Sequence, residues 1–252
     1  MPLSKPNPIV LEAQARVCTG PTQSRPLGNR PGDPQPEPVL ETILDTLQDK
    51  ADHPVSDIQM GALFAAMRLR RTYPPKTAWS KAEVKTFKQY NTLLQTHLPP
   101  DLQYILDFTA QCTPQSPDEQ IVIESLAQIL EGQHLTYSQT RQMCEAILTD
   151  RVRGSLKGAA LIGQRMNLES YDEVRGYLHS AFAPECVHSV QVNNLTHFGQ
   201  PYNGSTRYFK PTLFVAAVRA GLGRPTVLHG VDAMPPKWGV TDEQILSALN
   251  AR

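Results

Sequence analysis

The chain has 252 residues, with 24 Lys plus Arg against 24 Asp plus Glu. That length can bury a real core in one or two domains, and zero formal net charge argues against the footprint of a dedicated nucleic-acid binder. No apolar run approaches membrane-spanning length and the polar N-terminus has no signal-peptide core. The four cysteines (Cys18, Cys112, Cys144 and Cys186) are scattered without CxxC or Cys/His spacing. Membrane, disulfide and zinc classes are therefore not expected, and a reducing cytoplasm is the simplest setting.

Nine of the 22 prolines fall in residues 1–38, densest in RPLGNRPGDPQPEP. Such a segment is expected to form a flexible or extended arm over residues 1–37, because it cannot bury enough surface to offset its ordering entropy. From Pro38 to about Phe182 the pattern is helical. Val39, Ile43, Leu44 and Leu47 form one stripe, Ser56 and Asp57 can cap IQMGALFAAMRLRR, and Ser80 starts a helix that Pro99 and Pro100 stop. DLQYILDFTAQC and EQIVIESLAQILEG follow. Thr136 caps SQTRQMCEAILTD, and SLKGAALIGQRM and SYDEVRGYLHSAF complete roughly eight helices over a domain drawn at residues 38–184.

Two stretches within this region align without a gap: Val55 to Arg70 and Val152 to Asn167. Val55 matches Val152, Gly61-Ala62 matches Gly158-Ala159, and Arg68 matches Arg165. A mid-helix Gly costs about 1 kcal/mol against Ala, so it usually marks close helix–helix approach. One reading is a duplicated helical hairpin forming a dimer face. The other is that Gly-Ala packing helices look alike.

After Pro184 the period changes, opening a segment drawn at residues 185–252. SVQVNNL (Ser189 to Leu195) reads as a strand, followed by the loop GQPYNGSTRYFKPT and the helix TLFVAAVRAG. A strand TVLHG, a turn DAMPPKWG and a helix capped by Thr241 complete it. This is the start of a parallel α/β unit, so the fold class is α/β, mostly helical. A Gly-rich loop between a parallel strand and a helix presents backbone N–H groups at the positive end of the helix dipole, where phosphates bind.

This order of pieces resembles the anthranilate phosphoribosyltransferase-like branch of the nucleoside phosphorylase/phosphoribosyltransferase class. Gly199 to Thr212 fits that family's GTGGDGSxTFNIST in length, keeping Gly199, Gly204, Ser205 and Thr212. Leu228 to Asp242 fits KHGNRxxSSxxGSAD, keeping His229, Gly230, Gly239 and Asp242. The resemblance runs from about Gly132 to Arg252. It implies a phosphoribosyl pyrophosphate site at Gly199, Asn203, Gly204, Ser205, Thr206, Arg207, Thr212, His229, Gly230 and Lys237. It also implies Mg2+ carried with the pyrophosphate and a homodimer through the helical domain. No catalytic base is assigned, and nucleic acid is not an expected partner.

The departures are chemical. Pro201, Tyr202 and Asn203 replace two glycines and an Asp that meet the ribose pyrophosphate, and Leu228, Val231 and Asp232 replace a Lys, an Asn and an Arg. Pro201 removes a backbone donor, and Asp232 turns attraction into repulsion. The family's acidic magnesium pair and its anthranilate-contacting arginine lie farther along than the last residue here. Arg207 and Lys210 place two cations beside the loop, either as phosphate contacts or as solvated charges. The expected activity is phosphoribosyl transfer to an aromatic amine, weak or lost. The alternative is a non-catalytic helical interaction module with Tyr202, Tyr208 and Phe209 as contacts.

Overall fold

The computed structural model describes residues 5–107, 110–182, 184–186, 188–199, 209–233 and 238–250. The fold is α/β and mostly helical, with a small two-stranded parallel sheet. The chain divides into two compact units, residues 1–187 and residues 188–252.

The first unit opens with α1 (Pro8–Val17). Asn7 caps it by accepting from the Ile9 and Val10 backbone N–H groups, and Pro8 stands at the first helical position, where its missing N–H costs nothing. Val10, Ala13 and Val17 are fully buried, and Leu27 is nearly so. The expected flexible arm is thus corrected from Lys5 onward. Proline density masked an apolar stripe at i, i+3 and i+7, which is enough to dock one helix face. The turns that follow the helix are shaped by their prolines, which fix φ at about −65°, and by three glycines at positive φ, Gly20, Gly28 and Gly32. The Asn7 N–H donates to Gln59 Oε1 and Arg16 pairs with Asp33, which ties the segment down further.

Then follow α2 (Pro36–Leu47), α3 (Asp57–Leu69), α4 (Lys81–His97), α5 (Pro100–Leu106), α6 (Pro117–Leu130), α7 (Tyr137–Ile147), α8 (Gly154–Asn167) and α9 (Tyr171–Ala181). Ser56, Ser80, Thr136 and Ser170 cap as their side chains allow. The last three form reciprocal capping boxes with Glu83, Gln139 and Glu173. The helix expected over DLQYILDFTAQC ends earlier, at Leu106, because Asp107 is already extended. Arg68 Nη1 donates to the Tyr104 and Ile105 carbonyls at the end of that helix.

The packing order repeats. α1 packs on α2 and α3, and α2 on α4. In the same pattern α6 packs on α7 and α8, and α7 on α9. The two four-helix modules meet through α3 and α8, the most extensive helix pair of the unit. The aligned stretches found in the sequence are therefore the third helix of each module.

In the second unit, β1 (Thr196–Gly199) and β2 (Thr226–His229) pair in parallel, with Thr196 opposite Thr226 and Gly199 opposite His229. α10 (Thr212–Gly221) crosses between them, and α11 (Asp242–Ala248) follows β2. The strand expected at residues 189–195 is corrected to Thr196–Gly199. Asn193 and Asn194 form a turn, with Asn194 at φ 56°, and this breaks the extended run before the ladder begins. Val190 and Val192, taken as strand residues, are exposed.

Candidate functional site

In open parallel α/β units, ligands bind beyond the carboxyl ends of the strands. Gly199 and His229 occupy those ends as register partners. A Cβ at position 199 would stand 2.7 Å from His229 Nε2, so the glycine leaves room for the imidazole to lean over the sheet. There it stacks on His197, with ring centroids 4.2 Å apart and planes 25° from parallel. The sequence offered His229 alone. His197 was visible as the residue two before Gly199, hence on the same face of the strand, but its partner follows only from the register.

A cavity of about 470 Å³ opens beside β2, lined by His229, Gly230, Asp232, Asp242 and Glu243 with Leu228, Val231 and Leu246. Its floor is held by the Asp232 carbonyl, which accepts from Thr241 Oγ1 (3.1 Å) and Gln244 Nε2 (2.9 Å). Those bonds fix the exit of β2 to the start of α11. Asp242 is 5% exposed, and Lys210 Nζ lies 3.5 Å from its Oδ1. Neither carboxylate oxygen accepts a hydrogen bond among the described residues. Lys210, read from the sequence as a cation for phosphate or for solvent, instead pairs with a buried carboxylate.

Of the residues assigned from the sequence, Gly199, Thr212, His229 and Gly230 are described. Gly199, His229 and Gly230 gather at the strand ends. Thr212 is the first residue of α10, whose N-cap, Pro211, offers no side-chain oxygen to the first turn. Asn203, Gly204, Ser205, Thr206, Arg207 and Lys237 lie outside the described residues, as do Pro201, Tyr202 and Tyr208. Trp238 is more than half exposed with φ 51°. Among the described residues no group of three His, Cys, Asp or Glu side chains converges to hold a metal.

Other histidines serve the helical unit. His134 Nδ1 lies 2.8 Å from Glu173 Oε2, and the Tyr137 hydroxyl lies 2.8 Å from His179 Nδ1. No described helix is long and apolar enough to cross a membrane.

Among curated proteins, the chain is 28% identical over 127 residues to an anthranilate phosphoribosyltransferase of Agrobacterium fabrum, covering 50% of this chain and 36% of that protein. It is 28% identical over 132 residues to the same-named protein of Dictyoglomus thermophilum, covering 51% and 38%. It is 29% identical over 147 residues to that of a Psychrobacter species, covering 56% and 40%. The matches thus span well under half the length of these relatives. No family model and no solved structure matches. Over about half of its length the chain is thus similar, at 28–29% identity, to anthranilate phosphoribosyltransferases.

Proposed function

We propose that this chain descends from enzymes that transfer a phosphoribosyl group from phosphoribosyl pyrophosphate to an aromatic amine, and that its own transfer activity is weak or lost. One observation carries the reading. The cavity at the end of β2 bears Asp232, Asp242 and Glu243, and no Lys or Arg is among the described residues lining it. Lys210, the nearby cation, is engaged with Asp242. A pyrophosphate set 4–7 Å from an unpaired carboxylate meets repulsion of about 2–4 kcal/mol per charge pair at a protein-like dielectric. A polyanion site needs the opposite sign.

Calorimetric titration with phosphoribosyl pyrophosphate, with and without Mg2+, tests this. The expected result is no heat at millimolar ligand. Mg2+-dependent micromolar binding, or turnover with an aromatic amine, would overturn it. A second reading, a partner-binding module, is favoured by Phe209, which stacks on Phe214 with centroids 5.2 Å apart while remaining 75% exposed.

A further inference from the structure

The helical unit carries one module twice, and the correspondence extends well beyond the hairpin seen in the sequence. Val10, Ala13 and Val17 on α1 recur as Val122, Ser125 and Ile129 on α6, each set followed three residues later by a glycine at positive φ, Gly20 and Gly132. Leu40, Ile43 and Leu44 on α2 recur as Thr140, Met143 and Cys144 on α7, all buried. The carboxylate clamp recurs atom for atom. Glu83 Oε1 accepts from the Leu27 N–H at 3.0 Å and Oε2 from the Ser80 N–H at 2.7 Å. Glu173 Oε1 accepts from the Leu135 N–H at 3.0 Å and Oε2 from the Ser170 N–H at 2.6 Å.

The contact between the modules is reciprocal. A Cβ on Gly61 would overlap the Ser155 carbonyl, and a Cβ on Gly158 would overlap the Ile58 carbonyl. Ser155 and Ile58 are equivalent positions of the aligned stretches, as are Gly61 and Gly158. Residue i of one copy meets residue j of the other, and j meets i, which is the rule of a self-complementary two-fold interface. Asp57 and Gly154 are also equivalent, and a Cβ on Gly154 would stand 3.5 Å from the Asp57 Cβ. A residue facing its own equivalent marks the pseudo-two-fold axis.

We propose that the α3 face is a pairing surface whose partner is a second copy of the same four-helix module, and that this chain supplies that copy itself. The face is closed within one chain, so it does not pair one chain with another. The homodimer through the helical region, expected from resemblance, does not use it.

The test is disulfide trapping in the full chain with Cys186, the exposed cysteine, replaced by Ser. A Cβ–Cβ distance of 3.5 Å lies in the range that a disulfide spans. The Asp57→Cys/Gly154→Cys chain is expected to oxidise to a product with the mass of one chain. The Asp57→Cys chain alone is expected to stay uncrosslinked, and light scattering should give the mass of one chain from low to high micromolar. If the modules pair between chains, the Asp57→Cys chain would trap a covalent dimer across a true two-fold. That product, or an interchain dimer from the double variant, would overturn the proposal.

Discussion

The two four-helix modules reach the same packing with different chemistry at the clamp. In the first, Glu83 and Arg70 are both fully buried, and the guanidinium donates to both carboxylate oxygens and to the Thr77 and Ala78 carbonyls. In the second, Glu173 meets Gln164 and a half-exposed His134. The backbone donors are the same in both. Neighbouring positions diverge further: Arg68 is buried against the end of α5, whereas its equivalent Arg165 is exposed and pairs with Glu169 at 3.5 Å. What persists is whatever backbone geometry demands, namely the crossing glycines, the turn glycines and the carboxylate at the third position of α4 and α9. Counter-groups are free to drift as long as the carboxylate is satisfied.

This contrast orders the expected effects. Arg70→Met should be the most damaging change, because it strands the buried Glu83 carboxylate. Breaking a buried pair from one side costs about 3–5 kcal/mol, read as a fall in the denaturation midpoint. Glu173→Gln should cost less, about 1–3 kcal/mol, since a neutral amide keeps the shape while losing charge-assisted acceptance from two backbone N–H groups. Equal losses in the two variants would mean that the clamps are energetically alike and that Arg70 adds nothing.

Acid should reach the second module through Glu119 and Glu173. Burial pushes both carboxyls up, but their hydrogen bonds more than reverse that, so both sit below the ordinary carboxylate range. Glu119 is bonded by the Arg153 side chain and the Gln115 and Arg153 N–H groups, and Glu173 by the Leu135 and Ser170 N–H groups, Gln164 and His134. A carboxyl whose folded pKa is lowered adds stability above its unfolded pKa, about 4.5, and loses it as pH falls through the folded value. Hydrogen exchange followed downward from pH 5 should show α6 to α9 opening below about pH 4.5. Protection unchanged down to pH 2 would remove these two groups from the account.

The smallest effect concerns the N-terminal segment. Burial pushes the Cys18 thiol up to about 12, and its sulfur lies against the Ala62 carbonyl at 4.0 Å. Cys18 should therefore react with a thiol reagent far more slowly than the exposed Cys186. Equal labelling rates would restore the flexible arm.

Much of the helical unit was legible because capping and periodicity are local. Ser80, Thr136 and Thr241 each announce the helix that they cap. α1 was hidden because composition averages over a window, whereas docking needs only Val10, Ala13 and Val17 on one face. The pairing of the modules was half visible: Gly61 and Gly158 stand out as mid-helix glycines, yet what they touch depends on contacts nearly 100 residues apart in the chain. The strand was misplaced because valines at 190 and 192 outweighed the Asn193-Asn194 turn. In the α/β unit, Gly199 and His229 were legible through motif spacing. The Lys210–Asp242 pair and the His197–His229 stack were not, since they depend on strand register and on where α11 begins.

The central claim is that the two modules close on each other about the glycine crossing. A double-mutant cycle of Gly61→Ala and Gly158→Ala tests it most directly. Each substitution drives a methyl into the opposite backbone and should cost about 1–3 kcal/mol despite the gain in helix propensity. Separating α3 from α8 to relieve one clash relieves the other, so the double variant should cost clearly less than the sum of the two. Additive losses, or a loss confined to one glycine, would contradict a shared, reciprocal crossing.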